Sequence, residues 1–368
     1  MINSNKIKLA IIGGGINSAV GYAHYCAINL SNKFEILTGN FSRNNDINKQ
    51  SAQTYGISDD KLYFDYQTLF ENEKQNIDAV VLLTPTNSHH LQILDAIKHK
   101  IPVICEKSLT SSMEEFENIK RIYNNEFISI VFNYPCYPIL KELKKLIEND
   151  HIGKINQIHI EMPQEGFIRL YDGLPSKPQC WRLIDGSTPT ISLDLGMHLY
   201  SIIKTLTNET PIETVCVENN FGNFKNIIDD VTSIIKYSNN IICNMWYSKS
   251  ALGHRNGLKL RLYGSKGSAE WEQINPEYLK FADNSGKLIT LDRSSEICQV
   301  SNQPRYNRFK VGHPAGYIEG LANFYEDVYQ DLTDLKNNNT FGIKEYEECI
   351  KLFESMSVSS KNKCWVKI

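Results

Sequence analysis

Short apolar runs alternate with helix-compatible stretches along the first third of the chain. Apolar runs of this length, bounded by glycine or polar residues, predict strands that are buried on both faces, as in a parallel sheet. They lie at residues 6–12, 34–38, 77–83, 102–105 and 127–132. The stretch 88–100 places Leu91, Leu94 and Ile97 on one helical stripe. Strands that alternate with helices predict βαβ units and an α/β domain with a parallel sheet over residues 1–135.

The pattern changes after about residue 135. Helices are predicted at 138–150 and 190–207, with a strand at 155–162 and a long loop at 163–189 between them. Later apolar runs meet at turn sequences, which predict hairpins. The turns are Asn239–Asn240, Gly264–Gly267 and Asn284–Gly286, and a helix follows from Ala315 to about Leu335. Residues 136–368 are therefore predicted to form an α+β domain with a large, mostly antiparallel sheet.

The composition excludes several classes of protein. The chain has 368 residues, of which 41% are hydrophobic and 22% charged, so it needs neither disulfides nor a metal to fold. A formal net charge of −3 argues against binding nucleic acid or a membrane through bulk charge. The nine cysteines include no Cys-x-x-Cys pair, which indicates reduced thiols in the cytoplasm, and no metal site is predicted. No apolar run is long enough for a signal peptide or a membrane span.

Three consecutive glycines follow the first predicted strand. Gly13 and Gly15 fit the first two positions of the dinucleotide-binding pattern G-x-G-x-x-G, whereas Ser18 holds the third and Gly21 lies further on. A glycine turn between a strand and a helix lets a pyrophosphate approach backbone N–H groups at the helix start. The turn therefore predicts a nucleotide site, and the alternative is a tight turn with no ligand.

The residues after the second predicted strand bear on the choice between NAD and NADP. The acidic residue that would hold the ribose 2′-hydroxyl is absent, and Ser42 and Arg43 stand near its place. An arginine there can pair with a 2′-phosphate, which favours NADP. The alternative is an arginine in a solvated loop, so both cofactors stay open.

Motifs spread from residue 6 to about 330 resemble those of one enzyme family. They are AIIGGGINSAVG, LLTPTNSHH (similar to T-P-x-x-x-H), VICEKSL (similar to E-K-P), LDLGMHLYSII (D-x-G-x-H) and GHPAGYIEGLANFY. In this order they resemble the Gfo/Idh/MocA family, which includes glucose–fructose oxidoreductase and inositol dehydrogenase. The resemblance implies an N-terminal Rossmann domain and a C-terminal α+β domain. Ser108 stands where E-K-P has its proline, which predicts a looser turn beside Lys107.

The resemblance also implies three catalytic residues. Lys107 follows a parallel strand and would stabilise an alkoxide or act as a base. His198 would transfer the proton, and Asp194 would bind substrate or position the lysine. Asp194 and His198 are four residues apart and so share a helical face. Gly196 lies between them, and a glycine weakens a helix by roughly 1 kcal/mol. Close approach of this helix to a cofactor would explain why a glycine stands there. The alternative interpretations are that Lys107 is an ordinary surface lysine and that Asp194 and His198 form a surface pair without a catalytic role.

Further residues are assigned to the cofactor. We expect His89 to be an ordinary exposed histidine and His90 to line the nicotinamide ribose. The predicted cofactor-binding set is Gly13, Gly15, Ile16, Asn17, Ser42, Arg43, Thr84, Pro85, Asn87, His90, Glu106, Lys107 and Asn133.

The predicted substrate contacts lie in the second half of the chain. Trp181 and Arg182 offer a ring face and a guanidinium, which suit a sugar with hydroxyl or acidic groups. Tyr137 follows the last parallel strand and is predicted to reach the same cleft, as Tyr134 could. A basic cluster that includes His313 could hold a phosphate or uronate, and otherwise is a solvated loop. The cluster is Arg305, Arg308, Lys310 and His313.

Together these features predict an NAD(P)-dependent oxidoreductase acting on a ring hydroxyl of a sugar, cyclitol or nucleotide sugar. One alternative is an NAD-dependent glycoside hydrolase that retains its cofactor. Another is a non-catalytic nucleotide-sensing regulator, against which Lys107, Asp194 and His198 argue. An uncovered sheet face must be hidden, and the family pairs such faces between subunits, so a homodimer or homotetramer is expected. The apolar residues of IICNMWYS and LKLRLYG suit that face.

Overall fold

A five-stranded parallel sheet forms the centre of the N-terminal part of the chain. The computed structural model describes residues 6–334 and 338–368. The sheet order is β2-β1-β3-β4-β5, and every pair is parallel. Every residue of β3 and β5 is buried, which is why continuous apolar runs predicted them. The strands are β1 (Ile7–Gly13), β2 (Phe34–Asn40), β3 (Ala79–Leu83), β4 (Val103–Glu106) and β5 (Ile128–Val131).

Five helices follow the strands of this sheet. The strand order reverses between β1 and β3, and ligands of open α/β sheets bind at such a point. The polar helix α2 was not predicted, nor was α3. Asn44 caps α2, because its side chain accepts hydrogen bonds from the backbone N–H groups of Asp46 and Ile47. The helices are α1 (Gly21–Ser31), α2 (Asn45–Tyr55), α3 (Tyr66–Glu73), α4 (Thr86–Lys98) and α5 (Met113–Ile122).

A nine-stranded, mostly antiparallel sheet forms the centre of the C-terminal part. Its order is β15-β14-β13-β12-β6-β11-β10-β9-β16. The neighbours β6 and β11 run parallel to each other, and the other pairs are antiparallel. The helices that accompany it include α6 (Pro138–Glu148) and α7 (Met197–Thr207). Both predicted fold classes are thereby confirmed. The strands are β6 (Ile155–Pro163), the separate pair β7 (Leu170–Tyr171) and β8 (Leu174–Pro175), β9 (Pro211–Asn219), β10 (Asp230–Tyr237), β11 (Ile242–Ser248), β12 (Lys259–Gly264), β13 (Gly267–Glu272), β14 (Leu279–Asp283), β15 (Leu288–Leu291) and β16 (Val366–Lys367).

The chain divides into two compact units along lines that differ from the predicted boundary at residue 135. The first unit comprises Met1–Asn133 and Tyr317–Glu347, and the second comprises Tyr134–Gly316 and Glu348–Ile368. Helix α8 (Tyr317–Thr333) therefore belongs to the first unit. The final helix α9 (Ile343–Asn362) was not predicted, and the division falls within it. The predicted end of the preceding helix, Leu335, lies outside the described residues.

The nine-stranded sheet has one buried face and one open face. Met245, Tyr247 and Leu262, which we expected to make the open face apolar, are buried. Their strand neighbours point the other way, because successive side chains of a strand alternate. Those neighbours include Trp246 and Arg261, which are half-buried. The open face is therefore a mixture of apolar and charged side chains. Among the described residues, no helix is long and apolar enough to cross a membrane.

Candidate active site

The glycine turn at the end of β1 has the backbone geometry of a phosphate-binding turn. Gly13 and Gly14 have φ values of +81° and +70°, in the left-handed region that side chains disfavour. A Cβ atom on Gly15 would lie 3.0 Å from both the Phe41 carbonyl and the Ser51 hydroxyl. The exposed residues Ile16 and Asn17 follow at the turn's surface. Positions 13 to 15 therefore all favour glycine, because a Cβ atom at each would crowd neighbouring atoms of the protein itself.

Gly21 permits the close helix–strand packing for which the dinucleotide-binding pattern has a glycine at the position of Ser18. It is the first residue of α1, and a Cβ atom there would overlap the carbonyl oxygen of Gly14. In the dinucleotide-binding pattern, the third glycine permits close helix–strand packing. Gly21 does this three positions later than the strict spacing, so the Ser18 departure does not open the turn. The Tyr55 hydroxyl also donates to the Gly14 carbonyl at 2.9 Å.

The end of β2 presents Arg43 to solvent. The Asn48 side chain accepts hydrogen bonds from the backbone N–H groups of Phe41 and Ser42, at 2.7 and 3.3 Å. These bonds fix the loop, while Arg43 itself is exposed. The Asn40 side chain at the strand end donates to the Tyr63 carbonyl at 3.1 Å. A fixed loop with an exposed guanidinium is compatible with both alternatives for Arg43.

The turn between β3 and α4 holds the T-P-x-x-x-H stretch. The Thr84 hydroxyl donates to Gln92 at 2.7 Å, whereas Pro85 and Asn87 are exposed and His90 is half-buried. The expectation that His89 is exposed was wrong, because its side chain is fully buried.

His89 joins the ends of two neighbouring strands. Its Nδ1 lies 2.7 Å from the Ser108 carbonyl, and its Nε2 lies 2.7 Å from the Thr84 carbonyl. Burial lowers the pKa of His89, and a neutral ring donates to only one of these carbonyls at a time. The residue thus ties the turn after β3 to the turn that carries Lys107.

Glu106, at the end of β4, is bound within the first unit on both carboxylate oxygens. Its Oε1 lies 2.8 Å from His24 Nε2, and its Oε2 accepts the backbone N–H of Lys107 at 3.1 Å. The other ring nitrogen of His24 lies 2.7 Å from the Tyr325 hydroxyl. Burial alone would raise the pKa of Glu106, but the hydrogen bond from His24 and the nearby positive charges lower it. Glu106 therefore connects α1 to the Lys107 turn.

The turn beside Lys107 is well held, contrary to the expectation that Ser108 would loosen it. The Lys107–Ser108 peptide bond is cis, and Ser108 is buried. The Ser108 hydroxyl donates to the Thr110 carbonyl at 2.6 Å and lies 2.7 Å from the Tyr346 hydroxyl. Side-chain hydrogen bonds thus fix the segment in which the family motif has proline.

The first unit fits a dinucleotide at the carboxyl edge of its sheet. Asn133 follows β5 and is buried, and its Nδ2 finds no hydrogen-bond partner among the described residues. A buried amide without a partner is costly unless something binds it. This amide and the glycine turn after β1 fit a ligand bound at this edge of the sheet. The cofactor roles of the individual residues stay predictions.

In the second unit, Asp194 lies in a π-helical turn that precedes α7. The turn spans Ser192–Gly196, and the Ser192 hydroxyl lies 2.8 Å from the Tyr247 hydroxyl on β11. Irregular turns of this kind often occur at functional sites. Packing alone already favours glycine at position 196, because a Cβ atom there would lie 2.7 Å from the Phe353 ring. The explanation through a cofactor stays a prediction.

Asp194 meets two cations. Its Oδ2 accepts a hydrogen bond from Lys249 Nζ at 2.5 Å and another from Arg182. Lys249 is buried, and sequence reasoning missed it because it is a lone lysine outside every motif. Burial lowers the pKa of the Arg182 guanidinium, which also lies over the Trp181 ring at 4.4 Å.

His198, on the first turn of α7, packs against an aromatic residue. The Tyr134 ring meets it edge to face with a centroid separation of 4.8 Å. The Tyr134 hydroxyl accepts a hydrogen bond from Asn256 at 2.9 Å, and burial raises its pKa. Tyr137 is fully buried and lies against Trp271, with centroids 5.7 Å apart. Tyr134 is therefore the tyrosine that the structure brings to His198, and the substrate role of Tyr137 stays a prediction.

The basic cluster of residues 305–313 lies on a loop fixed by one buried arginine. Arg293 binds Glu277 at 2.6 Å and donates to the backbone carbonyls of Tyr306 and His313. Lys310 and the His313 side chain are exposed. The structure thus anchors the loop backbone, while the substrate role of His313 stays a prediction.

Comparisons with known proteins agree with both units. Residues 7–129 match the family described as "Oxidoreductase family, NAD-binding Rossmann fold", and residues 140–270 match the "GFO/IDH/MocA C-terminal domain". These matches cover more than half of the chain, which therefore belongs to the Gfo/Idh/MocA family of NAD-binding oxidoreductases.

Individual relatives are similar along nearly the whole chain. The glucose-6-phosphate 3-dehydrogenase of Bacillus subtilis (strain 168) is 28% identical over 96% of this chain and 99% of its own. The oxidoreductase YfiI of the same organism is 26% identical over 97% of each chain. The solved structure of an inositol dehydrogenase homolog from Azotobacter vinelandii, complexed with NAD+, has a TM-score of 0.89 at 22% identity and covers 100% of both chains. That likeness shows the fold.

Proposed function

We propose that this protein is an NAD(P)-dependent dehydrogenase of a sugar, cyclitol or nucleotide sugar. The observation that carries the proposal is the placement of the glycine turn and Lys107 after two strands of one parallel sheet. The carboxyl ends of parallel strands share an edge, and ligands of such sheets bind there. The sugar and cyclitol dehydrogenases among its relatives support the same reaction class.

The residues of the first unit would hold the cofactor. Gly13 to Asn17 would face the pyrophosphate, and Asn133 would use the amide that is otherwise without a partner. Thr84, Pro85, Asn87 and His90 would line the nicotinamide ribose. When bound, a nicotinamide dinucleotide supplies the hydride acceptor or donor.

The remaining chemistry is acid–base. Oxidation of a secondary alcohol removes a hydride from carbon and a proton from oxygen. Asp194 already accepts hydrogen bonds from Lys249 and Arg182, which favour its ionised form. We therefore assign the proton transfer to His198 and the stabilisation of the alkoxide to Lys107. Trp181 and Arg182, with Tyr137 and His313, are the proposed substrate contacts.

The cofactor is tested by titration with NADH and NADPH, followed by nicotinamide fluorescence. We expect NADPH to bind about tenfold more tightly, because a charge-assisted hydrogen bond from Arg43 to a 2′-phosphate is worth roughly that factor. Arg43→Gln should remove the preference for NADPH, whereas Arg121→Gln, at an exposed position of α5, should keep it. Selective NADH binding would make Arg43 a bystander. Binding of neither, with no cofactor carried through purification, would contradict a dinucleotide site.

We also propose a homodimer or homotetramer that covers the open sheet face. Val217 and Ile234 are exposed there on adjacent strands, among charged neighbours. Light scattering that shows a monomer would contradict this oligomeric state.

We further propose a cytoplasmic location. The nine cysteines form no disulfide in the structure, as is usual for proteins of a reducing compartment.

A further inference from the structure

Lys249 is a buried lysine whose backbone is fixed on both sides. It follows β11 directly, and its N–H donates to the Asp229 carbonyl at 2.7 Å. Its own carbonyl accepts the N–H of Phe167 at 2.8 Å. Only 6% of its side chain is exposed, and its ammonium lies 4.9 Å from the centroid of the Phe167 ring. Lysines are almost never buried to this degree unless they are paired. The position of this ammonium is therefore set by the fold.

The partner of this ammonium is equally constrained. Asp194 Oδ2 lies 2.5 Å from Lys249 Nζ, although the two residues are 55 positions apart in the sequence. The π-helical turn that carries Asp194 rests on β11 through the contact of Ser192 with Tyr247, at 2.8 Å. Lys249 and its carboxylate partner are thus held to the same strand.

We propose that Lys249 is a positioning residue of the acid–base site, which keeps the Asp194 carboxylate ionised and oriented one turn before His198. The inference rests on the proposed function, because it takes His198 as the proton-transfer group. Lys249 acts through Asp194 and does not itself contact substrate.

The second cation on Asp194 has a different character. Arg182 exposes 26% of its side chain and belongs to the long segment between β8 and the π-helical turn. It also stacks on Trp181 at the half-buried edge of this cluster. We therefore assign Lys249 as the permanent partner of Asp194 and Arg182 as the partner that can turn to a substrate. The charged and titratable groups that the described contacts bring to this cluster include Asp194, Lys249, Arg182, His198, Tyr134 and Tyr247.

The kinetic test compares Lys249→Met, Lys249→Gln and Lys249→Arg with wild type. The first two should lower kcat by about tenfold to a hundredfold, as is usual for a group that orients a functional side chain. KM for the dinucleotide should change by less than about threefold, and Lys249→Arg should recover most of kcat. The acidic limb of the kcat profile should move to higher pH in the Met and Gln variants, because a cation is lost beside the acid–base groups. Lys287→Met, which removes an exposed lysine of the turn between β14 and β15, should behave as wild type.

A double variant separates positioning from a merely structural role. If Lys249 acts through Asp194, then Asp194→Asn combined with Lys249→Met should lose no more kcat than Asp194→Asn alone. The proposal would be overturned if the kcat losses of the two single variants multiply in the double variant. It would also be overturned if Lys249→Met keeps the kcat and the pH profile of wild type. A uniform fall in thermal stability of all three Lys249 variants without a change in kcat would also overturn it.

An activity-independent measurement keeps this inference distinct from the proposed function. In a crystal structure of Lys249→Gln, the Asp194 carboxylate should leave the place it holds in wild type. If it stays there, the positioning role is contradicted even when no substrate is known. If wild type oxidises no polyol but the carboxylate moves, the proposed function fails and the positioning of Asp194 stands.

Discussion

The two units assemble their polar groups in different ways. In the first unit, the groups come from short consecutive motifs at the ends of strands, which are Gly13–Gly15, Thr84–Asn87 and Glu106–Lys107. In the second unit, Asp194, Arg182 and Lys249 meet although they come from three separate segments of the chain. Parallel strand ends bring motifs together by topology alone. The second cluster depends instead on how a loop and a π-helical turn pack on an antiparallel sheet.

The largest expected effect concerns one side chain from each unit. Lys107→Met and His198→Gln should each lower kcat/KM roughly 100-fold to 10,000-fold, the range for lost acid–base or electrostatic catalysis. Steady-state kinetics with both cofactors measures this. The matched controls Lys98→Met and His151→Gln, both at exposed positions, should keep wild-type rates. Wild-type rates in both Lys107→Met and His198→Gln would refute the division of the chemistry between the units.

Gly21 of the first unit and Gly196 of the second unit are both closely packed, but their substitution should have different effects. In Gly21→Ala the new Cβ atom meets the Gly14 backbone, which cannot move without opening the turn. We expect the dissociation constant for NADH to rise by at least about tenfold, since the close helix–strand packing beside the pyrophosphate site is lost. In Gly196→Ala the Cβ atom meets the Phe353 ring at 2.7 Å. That overpacking should cost about 1–3 kcal/mol of stability and leave NADH binding intact.

Fluorescence titration and thermal unfolding of the two glycine variants give the readouts. Gly166→Ala is the control, because a Cβ atom there meets nothing within 4 Å. Loss of NADH binding in Gly196→Ala, or unchanged NADH binding in Gly21→Ala, would contradict the assignment of dinucleotide binding to the first unit.

A smaller effect concerns the buried pair of His24 and Glu106. His24→Phe removes the hydrogen bond at Oε1 of Glu106 and should lower stability by about 3 kcal/mol at pH 7. The pKa of Glu106 is lowered in the folded protein, so its stabilising contribution is present above the ordinary value of 4.5 and is lost as the pH falls below it. The difference between the melting temperatures of wild type and variant should therefore stay constant from pH 7 to about pH 5 and narrow as the pH falls below 4.5.

The control for this prediction is His99→Phe, since His99 is half-buried on the surface side of the same unit. It should show a small difference in melting temperature that does not depend on pH in this way. If the difference in melting temperature between wild type and His24→Phe stays constant as the pH falls well below 4.5, Glu106 contributes no charge-dependent stability.

The contrast between the units also explains what the sequence could predict. The strands β3 and β5 were found because every residue of them is buried, which makes each one a largely apolar run. The helix α2 was missed because its residues are mostly polar and its start depends on the Asn44 cap. The hairpin turns of the second sheet were found because Asn239 and Asn240 adopt positive φ values, which asparagine tolerates.

Within the candidate site, motif residues could be named but their partners could not. His24 and Glu106 are 82 positions apart, and Lys249 and Asp194 are 55 apart. No local pattern reports such pairs, since only the tertiary fold brings them together. The same limit explains the error at His89. An adjacent pair of histidines looks like a surface feature until the strand ends that His89 joins are seen.

The absorbance of the reduced nicotinamide at 340 nm reports directly whether this protein is a polyol dehydrogenase. Wild-type protein would be mixed with NAD+ or NADP+ and a panel of sugars, inositols, sugar phosphates and nucleotide sugars. We expect wild type to reduce at least one cofactor in the presence of a polyol, and His198→Gln to do so at least about 100-fold more slowly. Tight dinucleotide binding without net reduction by any polyol would contradict this expectation, and cofactor retained through purification would then favour transient oxidation in glycoside cleavage.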